Sequence, residues 1–178
     1  MIEKSFFAGF GGQGIISLGQ IWVYFAMKEG KNVTFFPFYG AEKRGGIARA
    51  SVIISDEEIA SPLVVTPDSV LAMDMDSLPL CEGMLKSGGL MLINSTLVKE
   101  APKRTDIKVA TVDASAIAEK IGDVRIANMV ALGALARLTG ALALPDIEDI
   151  LKKFFPVDKH SFVPMNAEAI RSGLKAVS

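Results

Sequence analysis

Apolar positions fall in short blocks separated by longer apolar stretches, and the spacing changes along the chain from strand-like to helix-like. Ser5 to Phe10 forms an apolar run of strand length that enters Gly9-Phe10-Gly11-Gly12-Gln13-Gly14, and a long apolar stretch then continues to Met27. That order predicts strand, tight turn and helix. Glu29-Gly30-Lys31-Asn32 sets a glycine just past the helix, and Val33 to Phe38 is rich in β-forming residues. The opening therefore predicts a βαβ unit with parallel strands and a right-handed crossover. Further strands are predicted at Ala50–Ser55, Ser69–Met73, Leu90–Asn94 and Lys108–Val112. Helices are predicted at Leu78–Lys86, Ala114–Ile121, Ile126–Leu138, Pro145–Phe155 and Asn166–Lys175, with Asp113 and Asn166 as N-caps and Pro145 in a first turn. The alternation predicts an α/β fold: a three-layer α/β/α sandwich around a mostly parallel, Rossmann-like sheet. No repeat or linker interrupts it, so residues 1–178 read as a single domain.

Two of these helices lack a polar face. Ile15 to Met27 carries Ile15, Ile16, Leu18, Ile21, Trp22, Val23, Tyr24, Phe25 and Met27, and Met129 to Ala136 is apolar or small throughout. A helix apolar all round is buried all round, either inside a domain core or against another subunit. Both readings stand on sequence alone.

Composition narrows the possibilities. Half of the residues are hydrophobic and 22% are charged, which suits a globular core. The formal net charge of −1 gives no general attraction to nucleic acid or anionic lipid, so any anion site must be local. The longest apolar run, Ile21 to Met27, is far below the ~20 residues of a membrane-spanning helix. Met1-Ile2-Glu3-Lys4-Ser5 has no export-signal pattern, and the expected location is the cytoplasm. A lone cysteine, Cys81, provides neither an internal disulfide nor a self-contained four-thiolate iron–sulfur site, and His160 is the lone histidine. The scattered methionines suit core filling.

Gly9 to Gly14 satisfies G-x-G-x-x-G after a strand and at the start of a helix, where free backbone N–H groups and the helix dipole favour an anion. The same glycines would equally serve close helix–sheet packing. A dinucleotide fold would place an acid near the end of the second strand, but that stretch reads Phe35-Phe36-Pro37-Phe38-Tyr39. Next comes Tyr39-Gly40-Ala41-Glu42-Lys43-Arg44-Gly45-Gly46, expected at the same carboxyl edge of the sheet as the first turn. Lys43 would act there as a point charge and Arg44 as a bidentate donor to phosphate or carboxylate, unless the pair is merely a solvated basic turn. Asp74 and Asp76 form an acid/base pair or, more simply, Asp76-Ser77 caps the helix that follows.

Taken as an ordered set, Gly9-x-Gly11-Gly12-Gln13-Gly14, Tyr39-Gly40-x-Glu42-x-Arg44-Gly45-Gly46, Ser51 to Asp56, Ser61-Pro62 and Asn128 to Gly133 resemble the gamma subunits of 2-oxoacid:ferredoxin oxidoreductases. The resemblance implies CoA-acylating oxidative decarboxylation of a 2-oxoacid such as pyruvate, 2-oxoglutarate or 2-ketoisovalerate, with electrons passing to ferredoxin. It implies that this chain has no catalytic residue and binds no cofactor alone. Thiamine diphosphate and iron–sulfur clusters would sit on alpha, beta and delta partner subunits, with two copies of each subunit in the complex. Coenzyme A, the co-substrate, would be met by Gly11, Gly12, Gln13, Gly14, Lys43, Arg44 and Asn128. Ala41 and Lys43 depart from the family's common Pro and Met, and Ile47-Ala48-Arg49-Ala50 replaces a more typical Thr-Ala-Asn-Cys. Aryl pyruvates remain a possible substrate class. The competing reading is a free-standing nucleotide-binding module or a dinucleotide-dependent oxidoreductase domain.

Overall fold

A computed structural model of the chain describes residues 1–39 and 46–177. The elements run β1 (Ile2–Phe10), α1 (Ile15–Lys28), β2 (Asn32–Tyr39), β3 (Ile47–Ser55), β4 (Ser69–Ala72), α2 (Leu78–Met84), β5 (Leu90–Asn94), β6 (Lys108–Val112), α3 (Ala114–Ile121), α4 (Ala127–Thr139), α5 (Ile147–Phe154) and α6 (Val163–Ala176). Every predicted element is present, but some ends move. α6 starts at Val163, so Asn166 lies inside the helix and its amide donates back to the Phe162 carbonyl at 2.7 Å. α5 starts at Ile147 behind Asp146, whose φ is 46°, and Pro145 stands ahead of the helix. Asp113 occupies the N-cap position of α3, yet its carboxylate accepts from Ser95 Oγ at 2.6 Å instead of from the helix.

The six strands are ordered β2-β3-β1-β4-β5-β6. β1, β4, β5 and β6 pair in parallel, whereas β3 runs antiparallel to both of its neighbours, β1 and β2. This corrects the predicted opening unit. β1 and β2 do point the same way, but β3 lies between them because β2 turns back into an antiparallel partner before the chain crosses to β4. The sheet remains mostly parallel, and β1 and β2 still end at one edge.

Helices α1, α3, α4, α5 and α6 share one face of the sheet, with Phe7, Val52, Leu71 and Leu92 pointing into the same core. The other face carries α2, packed on Phe6, Ala8, Val70 and Met91. Because α1 leaves β1 on one side and α2 leaves β4 on the other, a crevice opens between the carboxyl ends of β1 and β4, the usual ligand position in open α/β sheets. No helix among the described residues is long and apolar enough to cross a membrane.

α4 resolves the question raised by the apolar helices in favour of the core. Every residue from Ala127 to Ala136 is buried within this one chain, and on α1 Trp22, Phe25 and Leu18 are likewise fully covered, although Met27 is exposed. The cover over α4 is α6, and the approach is backbone to backbone. A Cβ on Gly133 would overlap the Ile170 carbonyl oxygen, and one on Gly173 would overlap that of Val130. Both glycines are there to let the helices touch.

Glu3 lies beneath the opposite edge, accepting from Ser69 Oγ at 2.6 Å and from Ser5 Oγ at 3.3 Å. Burial first, and the nearby Asp68 charge next among the raising influences, lift its carboxyl above the ordinary 4.5.

Two outcomes are expected. Gly173→Ala should cost about 3 kcal/mol by overpacking, a drop of roughly 6–12 °C in melting temperature. Gly83→Ala in α2, where a Cβ would meet nothing, should instead stabilise by about 0.5–1 kcal/mol. For Glu3 the raised value means that its folded-state benefit is present in full below the unfolded value and is lost as pH climbs through the folded one. Glu3→Gln, which keeps an acceptor for both serines, should therefore raise the melting temperature near pH 8 and leave it nearly unchanged near pH 4.

Candidate functional site

The site begins with the start of α1. Gly14 opens that helix with φ 72°, a left-handed conformation that costs an L side chain roughly 1–2 kcal/mol. No side chain caps the helix and its first turn holds no acid, so its leading N–H groups and dipole face outward without a fixed negative partner. The turn before it is held from inside. Gln13 folds back so that Oε1 accepts from the Phe10 N–H at 3.0 Å while Nε2 donates to the Met73 carbonyl at 3.3 Å.

Asp74 adds a second clamp from the end of β4. It is buried, and its Oδ2 accepts from the Phe10 N–H at 2.5 Å while Oδ1 accepts from the Ser77 N–H at 2.9 Å at the start of α2. Asp76 is exposed. Ser77 stands at the N-cap position of α2, but no side chain bonds the helix there, and the Asp74 carboxylate is instead committed to the backbone N–H groups of Phe10 and Ser77. Neither its position nor its bonding leaves it for proton transfer.

Asn128, in the first turn of α4, donates through Nδ2 to the Gly14 carbonyl at 3.1 Å, and its Oδ1 accepts from the Met129 N–H at 3.0 Å. A Cβ on Gly14 would press on that amide. Gly14 is therefore a glycine twice over, for its φ and for Asn128. The structure places Asn128 beside the turn, with its amide engaged by the protein's own backbone.

Both flanks of the second motif reach the same place. The Tyr39 phenol lies over Gly11, where a Cβ would collide with it, and the Gly11 N–H donates to the Gly46 carbonyl at 3.2 Å. Lys43 and Arg44 lie outside the described residues.

Two hollows flank the glycine turn. The narrower, of about 210 Å³, is lined mainly by apolar groups, among them Phe10, Met73, Leu97 and Val124. The wider, of about 460 Å³, is lined by Ser17, Asn128, Phe154, Phe155, Lys159 and Phe162. Arg125 borders both. Its guanidinium is largely exposed and rests on Asp123 at 2.6 Å, and that contact holds the Asp123 carboxyl below the usual carboxylate range. Arg125 and the three phenylalanines of the wider hollow escaped the sequence reading, and Tyr39 entered it only as part of the second motif. The signals were present in the short Asp123-Val124-Arg125 segment just ahead of an apolar helix and in Phe154-Phe155 followed by Phe162.

The converging groups are backbone donors, a helix start and cations, an arrangement that holds an elongated anion with apolar parts. Among the described residues, no cluster of three His, Cys, Asp or Glu side chains could hold a metal ion. Cys81 is buried with Sγ at 3.4 Å from the Leu71 carbonyl, and burial pushes its thiol pKa up, away from the thiolate a ligand or nucleophile needs.

Known proteins are similar to this chain over nearly its whole length. The family described as pyruvate ferredoxin/flavodoxin oxidoreductase matches residues 4–176. The pyruvate/ketoisovalerate oxidoreductases common subunit gamma of Thermococcus kodakarensis is 37% identical over 163 residues, covering 87% of each chain. Ketoisovalerate oxidoreductase subunit VorA of Methanothermobacter thermautotrophicus is 36% identical over 168 residues, 93% of this chain. This chain spans only 34% of that relative's length, and likewise 34% of the corresponding subunit of Methanothermobacter marburgensis. Among solved structures, the keto/oxoacid ferredoxin oxidoreductase gamma subunit of Geobacter sulfurreducens superposes with a TM-score of 0.83 at 31% identity, covering 98% of this chain and 97% of the other.

The tie between Gly14 and Asn128 predicts a measurable coupling. Gly14→Ala should destabilise by about 2–3 kcal/mol through strain and collision. In an Asn128→Ala background the same change should cost about 1 kcal/mol less, because only the strain remains. Chemical denaturation of the four chains of the cycle would measure the difference.

Proposed function

The chain belongs to the pyruvate ferredoxin/flavodoxin oxidoreductase family, and we propose that it acts as the gamma subunit of a multisubunit 2-oxoacid:ferredoxin oxidoreductase. In that reaction a 2-oxoacid and coenzyme A give an acyl-CoA and carbon dioxide, and the electrons pass to ferredoxin. The observation that carries the reading is the meeting, at Gly11, of the glycine turn and both flanks of the basic motif, beside an uncapped helix start and Arg125. Such a site suits the phosphates of coenzyme A, with the two hollows offering room for its apolar arm and its base.

Gly12 and Gly14 would supply backbone donors, Gly11 and Gln13 the shape of the turn, since their own N–H groups are held by the Gly46 and Phe10 carbonyls, Lys43 and Arg44 the charge, and Asn128 the fixed position of Gly14. Thiamine diphosphate and iron–sulfur clusters would be held by partner chains, consistent with the single buried cysteine. The partners would be the alpha, beta and delta subunits of a cytoplasmic complex, with ferredoxin meeting the complex rather than this chain. A free-standing dinucleotide module has less support, because β2 ends in Phe38-Tyr39 without an acid for ribose hydroxyls.

Choice of the 2-oxoacid would rest with the thiamine-bearing partners. The naming of one relative as a subunit common to pyruvate and ketoisovalerate oxidoreductases fits that division.

The isolated chain is expected to show no visible absorbance and no 2-oxoacid oxidation. Purification of an active, cluster-bearing single chain would overturn the assignment. In the assembled enzyme, Arg44→Ala should weaken coenzyme A by roughly tenfold or more, from loss of a charge-assisted contact of about 1.5–3 kcal/mol. The 2-oxoacid-driven half-reaction should change far less. Steady-state titration of both substrates would test this, and an unaltered coenzyme A requirement would show that the basic motif serves another ligand.

A further inference from the structure

The two faces of the sheet are covered unequally. On the face opposite α1, cross-strand register aligns Phe38, Arg49 and Ala8 in one row and Phe36, Ser51 and Phe6 in the next. The lower part of this face is closed, with Ile53 and Phe6 buried. Its upper part is open: Phe36 and Phe38 remain 54% and 49% exposed, and Phe10 at the end of β1 is 45% exposed. α2, the helix on this side, packs on β1 and β4.

Arg49 stands in the middle of the open part. Its guanidinium lies over the Phe38 ring at 4.9 Å, and its Nε is sealed from solvent without a hydrogen-bond acceptor. Among the described residues no carboxylate pairs with it. Among the described residues of β1, β2 and β3 the other charge on this face is Lys4, also a cation, and none on this face is an acid. A desolvated guanidinium nitrogen without an acceptor is costly, and an exposed pair of aromatic rings beside it is the composition of a protein-binding patch rather than of a free surface.

We infer that this open half of the β2–β3 face, centred on Arg49 between Phe36 and Phe38, docks a partner subunit that presents a carboxylate among apolar side chains. The inference rests on the reading of the chain as a subunit. A second copy of this chain does not suit the face. Two-fold pairing would bring the Arg49 and Lys4 cations of both copies together with no acid among the described strand residues of this face, and like charges brought together discriminate strongly against such a pair. Addition of a strand at the free edge of β2 is also disfavoured, because Pro37 in the middle of that edge has no N–H to give. Contact is through the face, with a carboxylate on the guanidinium fork and an aliphatic or aromatic side chain against the two phenylalanines.

The test is assembly of the full enzyme. Arg49→Glu should weaken incorporation of the chain into the complex by roughly a hundredfold and Arg49→Lys by much less, read by native mass spectrometry of the complex titrated with each variant. Phe36→Ser with Phe38→Ser should weaken it by about tenfold or more while leaving the far-ultraviolet circular dichroism of the isolated chain unchanged, so a folding defect in an Arg49 variant would not leave the question open. A photo-crosslinking residue at position 36 should join the chain to a different subunit through a peptide carrying Asp or Glu. Full incorporation of Arg49→Glu and of the double Phe variant would overturn this interface while leaving the subunit assignment intact. Crosslinking to a second copy of this chain would overturn the choice of partner. Failure of the wild-type chain to join any complex would overturn the subunit assignment itself.

Discussion

The burial of α4 is the constraint from which the rest follows. A helix with no polar side must be covered all round, and a chain of 178 residues has little material to spare for that cover. The solution is contact between backbones: Gly133 and Gly173 remove the side chains that would hold α4 and α6 apart, so α6 covers α4 at the smallest possible separation. The cost of a helical glycine, about 0.5–1 kcal/mol relative to alanine, is offset by the apolar surface each helix hides from water. α4 is thereby fixed as a rigid element. Its first turn carries Asn128 to the carbonyl of Gly14, so the position of the glycine turn is inherited from the core.

The reversed strand β3 does the equivalent work on the other side. Because β2 folds back along β3, the chain leaves the carboxyl edge after Tyr39 and re-enters the sheet from that same edge at Gly46. Both residues touch Gly11. Convergence of the two motifs thus needs no long-range coincidence, since it follows from the end of β2 and the start of β3 lying beside the end of β1. In an all-parallel arrangement of these elements β2 would have to pair with β1 directly, and the face now carrying Arg49, Phe36 and Phe38 would not exist in this form.

Legibility in the sequence tracked the range of the forces involved. Strand and helix identities were readable because alternation, glycine stops and apolar runs act within a few residues. Strand direction was not, since Ile47–Ser55 has the same pattern whether it runs with β1 or against it. Helix starts at Pro145 and Asn166 were misplaced because tertiary contacts, not capping chemistry, set those ends. The glycine turn and the shared edge of the two motifs were foreseen. The roles of Gln13 and Asp74 as internal clamps were not, because Phe10, their common donor, offers a backbone N–H that no side-chain pattern reveals. Whether α1 and α4 faced the core or another subunit depended on which glycines oppose each other in space, a relation separated by forty residues of chain.

The internal clamps also bear on what the site can select. Gln13, Asp74 and Asn128, three polar side chains at the turn, are bound to the protein's own backbone. Among the described residues a ligand would then meet the backbone itself, the field of the α1 start and the charge of Arg125, which can leave the exposed Asp123 contact at little cost because a surface pair contributes at most about 1 kcal/mol. Donors of that kind recognise a phosphate group by charge and curvature and are indifferent to an acyl chain attached far away. A subunit built in this way would hold one common co-substrate in complexes that differ in the oxoacid they consume. Selectivity would then have to come from walls that this chain does not provide, which is a physical reason for such a fold to be combined with other subunits.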